Sequence, residues 1–164
     1  MPRQKKNQGN TEKPKAQMWK AGDDVMTSLK QLVAKFHPDL ALIVDHIAVV
    51  FKEKATKSGS LVVAGKTSKA SPLFGILGDT PWQFVITLGA DVWNEFNDKQ
   101  RIALLDHHLC GIRSNEVDGG EMKYYIQPPD VAFYKDELER HGLWRTTGST
   151  LQPDMINALC GDES

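Results

Sequence analysis

From Asp23 to Phe36 the apolar positions Val25, Met26, Leu29, Leu32, Val33 and Phe36 recur at helical spacing. That period gathers them on one face and predicts an amphipathic helix. Pro38 sets its end, because the residue before a proline is disfavoured in the helical region. The apolar run from Leu40 to Lys54 follows. Its second half, Ile47-Ala48-Val49-Val50-Phe51, is β-branched and predicts a buried strand. Thr56 to Ser60 reads as a turn and Leu61 to Ala64 as a second strand, so the two strands suit a hairpin. Gly65 to Asp79, with Ser71-Pro72 inside it, reads as a loop. Trp82 to Leu88 alternates as a third strand.

Asp91 to Phe96 predicts a short helix. Asn97, with Gln100 three residues on, has the capping-box spacing, and the helix it starts runs from Asp98 to Cys110. Ile102, Leu105 and Leu109 mark its apolar face, and Gly111 is its stop. Met122 to Ile126 predicts a further strand, Pro128-Pro129 a break, and Asp130 to His141 a last helix closed by Gly142. This order predicts an α+β fold, with a small twisted sheet of about four strands packed on three or four helices.

The chain has 164 residues, enough for one domain with a real core. The expected division is a disordered basic arm over residues 1–16, a domain over 17–146 and a loosely held tail over 147–164. The arm carries Arg3, Lys5, Lys6, Lys13 and Lys15 against Glu12 alone. The formal net charge of −1 gives the whole chain no pull toward nucleic acid or acidic lipid. No apolar run reaches the roughly 18 residues of a membrane span, and the basic N-terminus lacks the apolar stretch of a secretory signal. The only cysteines, Cys110 and Cys160, read as free thiols of a reducing compartment.

The chemistry concentrates in Asp106-His107-His108-Leu109-Cys110-Gly111. A zinc-peptidase helix of the H-E-x-x-H type needs two histidines four residues apart, to reach one metal. It needs a glutamate beside the first, to take a proton from the bound water. His107 suits the first ligand, but His108 stands where the glutamate belongs and Gly111 where the second ligand belongs. Other segments carry a wider likeness: Lys35-Phe36-His37-Pro38-Asp39-Leu40, Ile47 to Phe51, Val62 to Lys66, Ser71 to Phe74, Phe84-Val85-Ile86, Ala90 to Trp93, Asp98 to Cys110, and Asp130 to Phe133 through Gly142-Leu143-Trp144. In order and spacing, residues from about Val25 to Trp144 resemble the phage metallopeptidase family, small zincin-like proteins encoded by bacteriophages and prophages.

That resemblance implies a minimal zincin-like domain in a host cytoplasm, with Trp82 to Leu88 as the edge strand that pairs with a peptide. It also implies a motif D-H-E-L-C-H and a third ligand, usually histidine, just before a D-V-x-x-F segment. Here Pro129 precedes Asp130-Val131. The general base and two of the three presumed ligands are therefore absent, and the expectation is a pseudoenzyme without a resident cofactor.

Three functions follow as expectations. The first is a catalytically inactive, phage-encoded inhibitor that docks on a host or phage protein, such as a defence nuclease or a transcription or replication component. The second is a metal-dependent hydrolase with a rearranged zinc set drawn from His107, Cys110 and His108. His107 and Cys110 share a helix face, whereas His108 lies about 100° round from His107. The third is a nucleic-acid-binding accessory protein that uses the basic arm and a stripe of Lys52, Lys54, Lys57, Lys66 and Lys69. Trp19, Lys52 and Lys54 are the candidate partner contacts. Cys110 is otherwise expected in the core, His107 as a hydrogen-bonded remnant, and the acidic residues of the last helix, Glu137 included, on an exposed face.

Overall fold

The computed structural model describes residues 17–59, 61–128, 134–142 and 144. The basic arm, the C-terminal tail and Pro129 to Phe133 lie outside the described residues. The first elements are strand β1 (Met18–Lys20) and helix α1 (Asp23–Phe36), whose bounds are those its apolar period predicts. Val25, Leu29, Leu32 and Val33 are buried along one side. His37 caps the helix in a non-helical conformation, as a residue before proline must, and Pro38–Leu40 turns the chain away.

Strand β2 (Ile47–Lys52) comes next, followed by β3 (Thr56–Ser58), β4 (Leu61–Val63) and β5 (Gly65–Lys69). Helix α2 (Pro72–Leu77), strand β6 (Phe84–Gly89) and helix α3 (Ala90–Glu95) lead into helix α4 (Asp98–Cys110). Strands β7 (Ile112–Val117) and β8 (Glu121–Ile126) and helix α5 (Lys135–His141) complete the described chain. The main sheet has the order β1-β2-β6-β5, with β2 and β6 parallel and both outer pairings antiparallel. Two separate hairpins, β3–β4 and β7–β8, flank it. The α+β class and the small sheet of four strands are those predicted, and the mixed pairing is the structure's addition.

Several local expectations are corrected. The Leu61 strand pairs not with β2 but with β3, inside the segment read as a turn, and Gly59, at φ +62°, follows β3 directly. The loop expected over Gly65 to Asp79 holds β5 and α2. Polar Gly65-Lys66-Thr67-Ser68-Lys69 gives no apolar period, yet its backbone completes the sheet against β6. Strand β6 is consequently interior, and β5, not Trp82 to Leu88, forms that edge of the sheet. Strand β7 is also polar and unforeseen, formed by pairing with β8. The last helix starts at Lys135.

One face of the sheet is the core. Ile47, Val49 and Phe51 of β2 and Phe84, Ile86 and Leu88 of β6 stand in register across the parallel pair. They pack in one apolar cluster with Leu29, Leu32 and Val33 of α1 and with Leu104, Leu105 and Leu109 of α4. At roughly 1.5–3 kcal/mol for each fully buried aliphatic side chain, this cluster dominates the folding free energy. It also fixes α4 against the sheet. The capping box predicted at Asn97 is formed in both directions, with Gln100.

Candidate functional site

Helix α4 offers its motif residues to three different neighbours. Asp106, fully buried, faces the end of α1 and the last turn of α5. His37 Nε2 donates to its Oδ1 at 2.6 Å, and His141 Nε2 to its Oδ2 at 2.8 Å. Arg140 adds a two-pronged pair, Nε to Oδ2 at 2.7 Å and Nη2 to Oδ1 at 3.0 Å. Burial alone would raise this carboxyl, but the donors of His37, Arg140 and His141 outweigh it and hold the group well below the usual carboxylate range. Burial likewise works against the Arg140 charge, and Asp106 more than compensates, raising its pKa.

Cys110 sits one turn further on, 3% exposed, with Arg140 Nη2 at 3.3 Å from its sulfur. Burial, with the Asp106 charge next, pushes its thiol up to about 12. A protonated thiol is neither a nucleophile nor a metal ligand. His37, Asp106 and Cys110 offer three donor atoms within 4.8 Å of one another. The guanidinium already lies against two of them, so the cluster suits a structural ion-pair hub and not a cation site.

His107 turns the other way. Its Nδ1 is hydrogen-bonded to Glu137 Oε1, and the ring lies 5.0 Å from that of Tyr134. Glu137 is fully buried. It also accepts the Tyr134 backbone N–H, as a residue three positions into a helix does in a capping box, and the Trp144 indole N–H at 3.0 Å. The expected exposed acidic face is therefore corrected at Glu137. The signal was the Tyr134-to-Glu137 spacing, which places a carboxylate over the first turn of α5. A carboxylate on Nδ1 is also the arrangement that orients a metal-bound imidazole.

His108 is directed to β5. Its Nδ1 lies 3.0 Å from Thr67 Oγ1, and it packs so closely on Gly65 that a Cβ there would meet His108 Nε2 at 2.5 Å. Gly111 has an ordinary φ of −75°, so its backbone does not require glycine. Space does. A Cβ at 111 would meet the Tyr134 hydroxyl at 2.6 Å, and that hydroxyl donates to the Gln127 carbonyl at 2.7 Å. The position from which a second histidine ligand would project is occupied.

The residues present do not fit a peptidase zinc. His107 keeps a ligand's orientation, but position 108 supplies no carboxylate and position 111 supplies no donor, with the Tyr134 hydroxyl beside it. His107, His108 and Cys110 engage Glu137, Thr67 and the Asp106–Arg140 pair respectively, and the His107 and His108 rings meet edge to face at 5.0 Å.

Of the candidate partner contacts, Trp19 is partly exposed and stacks on Phe51 at 6.1 Å. Lys52 Nζ donates to Thr56 Oγ1 at 2.9 Å, and Lys54 is exposed just beyond β2. The most exposed apolar element is one that periodicity missed. Leu73, Phe74, Ile76 and Leu77 of α2 are each at least half exposed, Leu77 to 83%. Among the described residues, no helix is long and apolar enough to cross a membrane.

A small mixed sheet is thus backed by a helix bearing Asp106-His107, with a buried carboxylate on that histidine. The chain belongs to the family described as "Putative phage metallopeptidase", which it matches over residues 17–158. No curated protein and no solved structure matches it.

Proposed function

We propose that this chain is a non-catalytic, phage-encoded member of its family. It acts by binding a protein and occluding a functional surface of a host factor, such as a defence nuclease or a component of transcription or replication. The observation that carries this reading is the Tyr134 hydroxyl in the space beside Gly111, because it closes the place where the second zinc ligand of the family would stand. Helix α2 supports the binding half. Four large apolar side chains on six residues, all solvent-facing, cost solubility unless a partner covers them. The Glu137–His107 pair favours the second reading, a hydrolase with a rearranged zinc set, since it would suit one metal ligand.

Metal content decides between them. Tag-free protein incubated with zinc and then desalted is expected to hold well under one equivalent by elemental mass spectrometry. About one tightly held zinc per chain would overturn the non-catalytic reading. For the binding half, a host protein captured by the natural chain is expected to be lost from a Leu73→Ser/Ile76→Ser/Leu77→Ser variant. Equal capture by both would remove α2 from the proposal.

A further inference from the structure

Helices α1 and α4 cover one face of the four-stranded sheet, and the register places a different set of residues on the other. Side chains alternate along a strand. Opposite the core set, one row therefore runs Lys20, Val50, Thr87, Lys66 across all four strands, and the adjacent row places Met18 beside Lys52 and Gly89. Lys20 and Lys66 are exposed, and Val50, Lys52 and Thr87 are partly so. None of the strand residues on this side is acidic: they are Met18, Lys20, Ala48, Val50, Lys52, Val85, Thr87, Gly89, Lys66 and Ser68. The nearest acid on the strand ends, Asp91, lies exposed just beyond β6, with Oδ1 accepting the backbone N–H groups of Ala55 and Val92.

The face is not flat. Against the β3–β4 hairpin it forms a groove of about 440 Å³, with Met18, Val63 and Thr87 in its lining and Lys52 and Lys66 among its polar groups. At one margin the Lys20 ammonium lies 5.1 Å from the centre of the Trp82 ring. Lys20 and Lys66 are three strand spacings apart, about 14 Å. The chain as a whole is formally −1, so this grouping of cations is a local segregation of charge.

We propose that this sheet face binds single-stranded nucleic acid, with Lys20, Lys52 and Lys66 on backbone phosphates and the Val50–Thr87 floor and the Trp82 indole under the bases. A polyanion whose charges are separated by planar, weakly polar groups fits cations separated by an apolar floor. A uniformly acidic protein surface would leave that floor bare. The inference is independent of the lost zinc ligands and of α2, and it would hold for a catalytic protein equally.

The test is fluorescence anisotropy of the full chain with a labelled oligothymidylate of about 20 nucleotides, between about 20 and 200 mM NaCl. The decisive variant is Lys20→Gln/Lys52→Gln/Lys66→Gln. Its control, Lys30→Gln/Lys35→Gln/Lys99→Gln, removes the same charge from exposed helix positions. The sheet triple is expected to bind about tenfold more weakly or worse, with a log–log salt slope shallower by about 2, while the helix triple stays within about twofold. If the sheet triple does not fold, Lys66→Glu alone, at an exposed edge-strand position, is expected to weaken binding by about threefold or more. No binding at the lower salt overturns the proposal. So does equal weakening by both triples, or displacement of the oligonucleotide by polyglutamate of matched charge, which would mark a site for acidic protein.

Discussion

The hydroxyl of Tyr134 and the missing side chain of Gly111 share one volume: a Cβ on residue 111 would lie 2.6 Å from that oxygen. Glycine at 111 is thus a matter of space and not of backbone angle. Gly111→Ala is expected to destabilise the fold by about 1–3 kcal/mol, the usual cost of overpacking. In a Tyr134→Phe background, which removes the clashing oxygen, the same substitution is expected to cost clearly less. A double-mutant cycle in urea measures the coupling, and additive costs would show that the two residues do not compete.

The Asp106 hub predicts a stability that depends on acid. Its carboxyl titrates lower in the folded chain than in the unfolded one, so the folded state binds fewer protons. The resulting stabilisation is complete above the unfolded carboxyl value of about 3.9 and drains away as the pH falls through and below it. Asp106→Asn leaves Arg140 partly buried without its counter-charge and is expected to cost about 3–5 kcal/mol at neutral pH. Urea midpoints measured from pH 7 down to about 3 should fall less steeply for the variant than for the natural chain. An unchanged slope would mean that other carboxyls set the acid limb.

Cys110 should be chemically silent in the folded protein. With the thiol buried and pushed up to about 12, almost no thiolate exists at pH 8. In a Cys160→Ser variant, where Cys110 is the one remaining thiol, alkylation by iodoacetamide is expected only under denaturing conditions. Rapid native labelling would mean that the pocket around Arg140 opens.

Helix α2 is expected to tolerate loss of its apolar side chains. Ile76→Ser/Leu77→Ser removes two highly exposed groups and should change stability by no more than about 0.5 kcal/mol per site while lowering binding of a hydrophobic dye. A large drop in melting temperature would show that α2 belongs to the core.

Elements whose apolar period reports burial directly were legible in the sequence. Helix α1, strand β2, strand β6 and helix α4 all were, and Asn97 and Gln100 marked the start of α4 by local chemistry alone. Strands β5 and β7 were not legible. Their residues are mostly polar, and their existence depends on a backbone partner elsewhere in the chain. The candidate site divided in the same way. The glutamate missing at His108 and the ligand missing at Gly111 could be read as residue types. The partners that now hold the motif, Glu137 on His107 and His37, Arg140 and His141 on Asp106, are contacts across 30 to 69 residues of chain. No local pattern announces such contacts.

The clasp at Asp106 is separate from the positions where a peptidase would hold its metal. One flank of α4 ties the last turns of α1 and α5 together, while His107 and Gly111 face the start of α5 and His108 faces β5. In a zinc finger the ligands and the structural fastening are the same residues, and losing one loses both. Here the two tasks fall to different side chains. A chain of this design is free to exchange its reactive residues, one after another, while its architecture stays standing.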